Sequence, residues 1–317
     1  MRAAVLDSFG AVPRYGSFAD PTPAPGLRVV RVEAAGLHPV VRALAGGGHY
    51  GSGGELPQIP GLDGVGRLDD GTRVYFGFAQ APYGSMAELS LAADGWMCPV
   101  PDGLDPAVAA GLANPGFAAH LALHWRGRVA PGETVLVLGA TGVSGRLAVQ
   151  LALRAGAGRV IAAGRDPEAL ELARELGAHA TVRLGSADDA AAIVAAADGD
   201  LHVIVDYVWG APAEAAIAAV RRTGMSRTAP DVRLVQVGQK AGPTVALPAD
   251  VLRGSGLTIS GTGGGTTPPD LMLDAIQNVF ALAADGSLRF DVERAPLADV
   301  AEVWKTDRSG LRTVLTP

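Results

Sequence analysis

Three glycines spaced three apart, Gly139, Gly142 and Gly145, close the apolar run TVLVLGATGVSG at residues 134–145 and stand directly before a helical pattern, LAVQLALRAG. A buried strand that ends in a tight turn and feeds a helix is suited to cradle a dinucleotide. The first glycine lets the chain bend, the second lets the backbone approach a pyrophosphate, and the third lets the helix pack closely. The helix start adds free N–H groups and the positive end of its dipole. Thr141, Gly142, Val143 and Ser144 are therefore the residues expected to face phosphate. The spacing is GxxGxxG rather than GxGxxG, so the reading leans on the strand, turn and helix around it. The next apolar run, RVIAAGR, ends in Gly164 and Arg165. An NAD site carries Asp or Glu at that strand end for the ribose 2′-hydroxyl, about 20 residues past the glycines. Here no carboxylate repels a 2′-phosphate and Arg165 can pair with one, which points to NADPH. Asp166 falls two positions late and opens D-P-E, the pattern of a helix N-cap.

The elements that must hold this turn follow from the alternation around it. VLVLG, VIAAG, TVRL, HVIVDYV and RLVQVG read as strands, with LAVQLALRAG, PEALELARELG, SADDAAAIVAAA and PAEAAIAAVRR between them at helical spacing. Such alternation implies right-handed crossovers and a doubly wound parallel sheet, with LTISGTG as its sixth strand. From Arg2 to about Pro115 the pattern is strand-like and broken by turns: RAAVL, LRVVRVEAAG, TRVYFGF, MAELSLA. After GGGTTPP comes a helix, DLMLDAIQNVFALAADG, and a last strand, RTVLTP, expected to return to the first region. The fold class is α/β. The expected organisation is a first domain over residues 1–117, a nucleotide-binding domain over 118–262, and a return of the first domain over 263–317.

Composition narrows the function classes. The 317 residues are 48% hydrophobic, with a net charge of −6 and no basic stripe, which disfavours nucleic acid and anionic membrane as partners. No apolar run reaches the roughly 18 residues of a membrane span, and Asp7 interrupts any signal-peptide core, so a cytoplasmic protein is expected. Cys98 is the single cysteine, which fits a reducing compartment, and with Pro99 beside it and no adjacent base it is expected to be inert.

Beyond the turn, the chain resembles the medium-chain dehydrogenase/reductase superfamily, in its zinc-free quinone oxidoreductase-like branch. The resemblance rests on AAGLHPVVRALAGG, IPGLDGVG, YGSMAEL, PGETVLVLGATGVSG, AVQLA, LGAHA and SGLRTVLTP in the family's order. It implies a GroES-like β-barrel catalytic domain, an inserted Rossmann domain and an active site in the cleft between them. The catalytic zinc positions of metal-dependent relatives match His38, Leu62 and Asn114, and the four-cysteine structural lobe is missing. Leucine cannot ligate zinc, so the expected chemistry is hydride transfer without a metal to an already electrophilic acceptor, a quinone or an α,β-unsaturated carbonyl.

The resemblance also supplies candidates. His38 matches a position facing the nicotinamide, where lining the pocket competes with a plain structural hydrogen bond. Tyr50, in the glycine-rich loop GGGHYGSGG, matches an aromatic over the substrate and is a candidate hydrogen-bond donor to its carbonyl, against an exposed loop tyrosine. Asn114 matches a pocket-lining position, although N-P also starts turns. Val237, Gly238 and Gln239 match the passage of the nicotinamide amide, and Arg312 a basic residue against the pyrophosphate. Asp63 is expected to be a structural capping acid rather than a base, and His120, His124 and Trp125 to pack at a domain interface. Tyr207 and Trp209 replace the family's commoner small residues, with core packing as the default. A homodimer through the last Rossmann strand is implied. Two other functions stay open: an NADPH-binding sensor or catalytically silent member, and an enoyl-thioester reductase, for which no basic groove is evident.

Overall fold

The computed structural model describes residues 1–222, 230–306 and 310–317. Ser309 of the motif SGLRTVLTP lies outside the described residues. The chain divides into two compact units, one of Met1–Asn114 with Pro268–Pro317 and one of Pro115–Thr267.

The first unit begins with β1 (Arg2–Val5) and β2 (Arg14–Ser17), an antiparallel pair. There follow β3 (Leu27–Gly36), α1 (Pro39–Ala45), β4 (Gly64–Arg67), β5 (Arg73–Phe76), β6 (Leu89–Ala93), β7 (Met97–Pro99) and α2 (Pro106–Leu121), which crosses the first junction between the units. The ten residues of β3 organise the sheet, pairing with both β4 and β6 and shifting register between Val32 and Ala34. Asn114 and Pro115 stand inside α2, so the turn reading of N-P does not hold. The apolar, alanine-rich sequence around them sustains the helix, although Pro115 has no N–H to give to the Gly111 carbonyl.

In the second unit come β8 (Thr134–Leu138), α3 (Val143–Arg154), β9 (Arg159–Gly164), α4 (Pro167–Glu175), β10 (Ala180–Arg183), α5 (Asp189–Ala197), β11 (Val203–Asp206), α6 (Gly210–Ala219), β12 (Val232–Gln236), α7 (Ala249–Gly254) and β13 (Leu257–Gly261). Its six strands form one parallel sheet in the order β10-β9-β8-β11-β12-β13. All five residues of β8 are buried, as a strand covered on both faces requires. The order reverses between β8 and β11, and in such sheets ligands bind beyond the carboxyl ends of the strands at that reversal.

The chain then returns to the first unit with α8 (Pro269–Ala284), β14 (Val292–Pro296), α9 (Val300–Val303) and β15 (Arg312–Thr316). β14 and β15 pair in parallel, and β15 joins β3. Among the described residues no helix is long and apolar enough to cross a membrane.

Candidate functional site

The carboxyl ends of β9, β8 and β12 carry the expected nucleotide residues. Gly139 adopts φ +82°, a conformation that glycine reaches without steric cost, and this turns the chain out of β8. Gly142 caps α3 with no side chain across its N-terminus, and a Cβ built there would meet nothing nearer than the Gly139 carbonyl at 3.5 Å. The approach to the backbone is open at the residue that needs it. A Cβ on Gly145 would lie 2.3 Å from the Gly139 oxygen and 2.6 Å from the Ala140 Cα, so this glycine is what lets helix and turn touch. The turn thus fits a pyrophosphate, with Val143 and Ser144 half-buried in the first turn of α3.

At the end of β9, Gly164 is buried and Arg165 exposed. A Cβ on Gly164 would press to 2.5 Å on the Thr141 Cγ2, so the two strand ends interlock. Asp166 caps α4, its carboxylate accepting from the Glu168 and Ala169 N–H groups. Burial lowers the pKa of Arg146 on α3, while the opposing charge of Asp166 acts to raise it. At the end of β12, the Val237 and Gly238 N–H groups both donate to the Asp206 carbonyl, at 2.8 and 3.2 Å. Gln236 Nε2 donates to the Gly238 carbonyl, and Gln239 is exposed.

Between these ends lies a segment that the sequence left without a function. Asp206 closes β11 fully buried, one carboxylate oxygen accepting from the Val208 and Trp209 N–H groups at 2.8 and 2.9 Å. Burial raises its pKa against those two bonds. Trp209 adopts φ +56° and packs against the apolar core of the sheet, as expected. The Tyr207 hydroxyl is buried and has no hydrogen-bond partner among the described residues, which core packing does not explain.

The first unit holds a different polar cluster. His38 directly precedes α1 and is fully buried, with its Nε2 3.2 Å from Asp63 Oδ1. Asp63 is 1% exposed and accepts the Tyr75 hydroxyl at 3.1 Å. The acid therefore bridges two side chains rather than capping backbone. Tyr75 was not among the candidates, and only the pairing of Val65 with Tyr75 across β4 and β5 brings it to Asp63. Burial pushes the His38 pKa down against the pull of Asp63, and the Arg312 charge adds to the lowering. Arg312 is 7% exposed on β15 and donates to the Leu37 carbonyl at 3.0 Å. Burial likewise pushes the Cys98 thiol up to about 12.

Tyr50 is 83% exposed, its ring 4.1 Å from that of His49. The same loop contributes Gly51 and Ser52 to a recess of about 170 Å³ that Leu44, Gln58, Leu62 and Ala79 also line. Asn114 is half-buried in α2. His120 and His124 stack with centroids 4.3 Å apart, and burial lowers the His120 pKa to about 4, with the His124 charge a second cause. The donors do not fit zinc. His38 is spent on Asp63, Leu62 offers no donor atom, and among the described residues no three His, Cys, Asp or Glu side chains converge.

Comparison with known proteins agrees with this architecture. Residues 144–281 match the family model described as zinc-binding dehydrogenase. The chain is 28% identical, over 100% of both chains, to a probable NADPH-dependent quinone reductase of Emericella nidulans. It is also 28% identical to a quinone oxidoreductase of Pseudomonas aeruginosa, over 95% of this chain and 94% of that one. The solved quinone oxidoreductase of Thermus thermophilus, known also in complex with NADPH, superposes over 100% of both chains with a TM-score of 0.80 and 28% identity. The parallel sheet is thus the Rossmann half, and the β-rich unit the GroES-like half, of a shared α/β fold. The chain is thus similar over its whole length to proteins of the quinone oxidoreductase-like branch of the medium-chain dehydrogenase/reductase superfamily.

Proposed function

We propose that this protein is an NADPH-dependent oxidoreductase that reduces a quinone or an α,β-unsaturated carbonyl without a metal. The observation that carries the reading is the end of β9, where buried Gly164 and exposed Arg165 stand beside an open glycine turn. Bound NADPH supplies a hydride. The chain's own residues do the rest. The N–H groups of Val143 and Ser144, with the positive end of α3, hold the pyrophosphate beside Thr141 and Gly142, and Gly139 leaves the backbone room to turn. Arg165 pairs with the 2′-phosphate, and Val237, Gly238 and Gln239 receive the nicotinamide end. Tyr50 donates a hydrogen bond to the substrate carbonyl, where negative charge grows as hydride arrives, and a proton from water or a side chain completes the reduction. His38 and Asn114 are assigned to the substrate side. Arg312 supports His38 through Leu37, a contact that leaves its pyrophosphate role resting on the family match alone.

Leu62 in the wall of the recess supports a metal-free route, since the residue that would ligate a metal shapes the pocket instead. β13 is the sheet's edge strand, which supports pairing with a second copy. The test is to follow NADPH absorbance with benzoquinone, naphthoquinones, 2-cyclohexenone and simple aldehydes, before and after prolonged chelation. Turnover of a quinone or the enone that survives chelation is expected. Loss of activity together with stoichiometric zinc, or turnover of aldehydes alone, would overturn the reading.

A further inference from the structure

The Tyr207 side chain starts in the middle of the nucleotide-facing edge. Its N–H donates to the Leu138 carbonyl at 3.2 Å, tying it to the end of β8. Its Cβ lies 3.4 Å from where a Cβ on Gly139 would stand, and its carbonyl 2.4 Å from one on Gly238. The residue is thus wedged between the phosphate turn and the β12 end. Its N–H is used, yet its hydroxyl is buried with nothing to bond to among the described residues. A buried hydroxyl without a partner costs about 1–3 kcal/mol, and a chain that needed only apolar filling here would do better with phenylalanine.

We propose that the Tyr207 hydroxyl is a ligand contact, donating a hydrogen bond to the nicotinamide-ribose half of the bound dinucleotide. This rests on the NADPH reading above and adds a residue to it. The half is fixed by topology. Arg165 at the end of β9 marks the adenosine side and the glycine turn after β8 marks the pyrophosphate, so the next strand end beyond the reversal, β11, belongs to the nicotinamide side. A phenol, neutral at physiological pH, offers one donor to a ribose oxygen or the carboxamide carbonyl.

The experiment compares wild type with Y207F by calorimetric titration of NADPH, NADH and 2′,5′-ADP, together with thermal melts of the unliganded protein. Affinity for NADPH and for NADH should fall by the same factor, about threefold to tenfold for one lost hydrogen bond, while 2′,5′-ADP binds within about twofold of wild type. The unliganded variant should melt at or above the wild-type temperature, because an orphaned hydroxyl has been removed. A hydroxyl with a structural role would instead lower the melting temperature and leave affinity alone. Unchanged NADPH affinity, or an equal loss for 2′,5′-ADP, overturns the assignment while leaving the nucleotide site standing. Failure of wild type to bind NADPH or 2′,5′-ADP at all overturns the underlying reading, and this assignment with it.

Discussion

The nucleotide edge of the Rossmann half and the His38 cluster of the GroES-like half both arrange polar groups, by opposite means. The edge works through backbone: Gly139, Gly142, Gly145 and Gly164 subtract side chains until N–H groups and a helix end are reachable. The cluster works through side chains: His38, Asp63 and Tyr75 come from three separate segments and meet at 0–3% exposure, with Arg312 from a fourth donating to the Leu37 carbonyl beside them. A backbone site tolerates most changes of residue type provided that nothing is added. A side-chain cluster fails when any member is removed.

That contrast can be broken directly. Asp63→Ala should have the largest effect, about 3 kcal/mol of stability lost in a urea titration, because it strips Tyr75 of its acceptor and His38 of its carboxylate neighbour in a dry interior. A loss below about 1 kcal/mol would mean that the cluster is wet. On the other side, Arg165→Ala should leave the fold unchanged and weaken NADPH by about 1.5–3 kcal/mol, the scale of a charge-assisted hydrogen bond, with little change for NADH. Equal losses for both coenzymes would remove Arg165 from the 2′-phosphate. Tyr50→Phe should lower kcat on an enone by about tenfold with NADPH affinity intact, less than at a closed site because water can reach the loop. If Tyr50→Phe keeps full kcat and His38→Ala abolishes it, the polar contact belongs to the cluster.

The smallest effect is one of pH. Burial holds His38 below its ordinary value, and His120 at about 4, so unfolding takes up protons. Both contributions are complete above about pH 6.5, the unfolded value, and decline as pH falls below it. Melting temperature should therefore drop by a few degrees between pH 7 and pH 5, with a shallower slope in His120→Gln. An unchanged slope would place the His120 ring in water.

What could be read in advance follows the same division. The parallel sheet, its helices and the glycine turn were legible because period and punctuation are local: a buried run, a glycine and a helical repeat follow one another directly along the chain. The Asp63 bridge was not, because Tyr75 meets it through strand pairing. The helix through Asn114 and Pro115 was obscured by a dipeptide that ordinarily starts turns. The exposure of Tyr50 depends on a loop too rich in glycine to carry any period.

The contact between Gly164 and Thr141 makes coenzyme choice a property of two positions at once. A mutation that installs the acidic residue of an NAD site at position 164 must first place a Cβ 2.5 Å from a β-branched side chain that has little rotameric freedom to withdraw. Thr141 has to shift or be replaced for the acid to fit. Any path from one coenzyme to the other, in the laboratory or in a lineage, thus passes through an intermediate in which the strand end has lost its interlock and gained no new ligand. On the proposed assignment of the β9 end to the 2′-phosphate, that valley is an epistatic barrier that holds coenzyme preference in place.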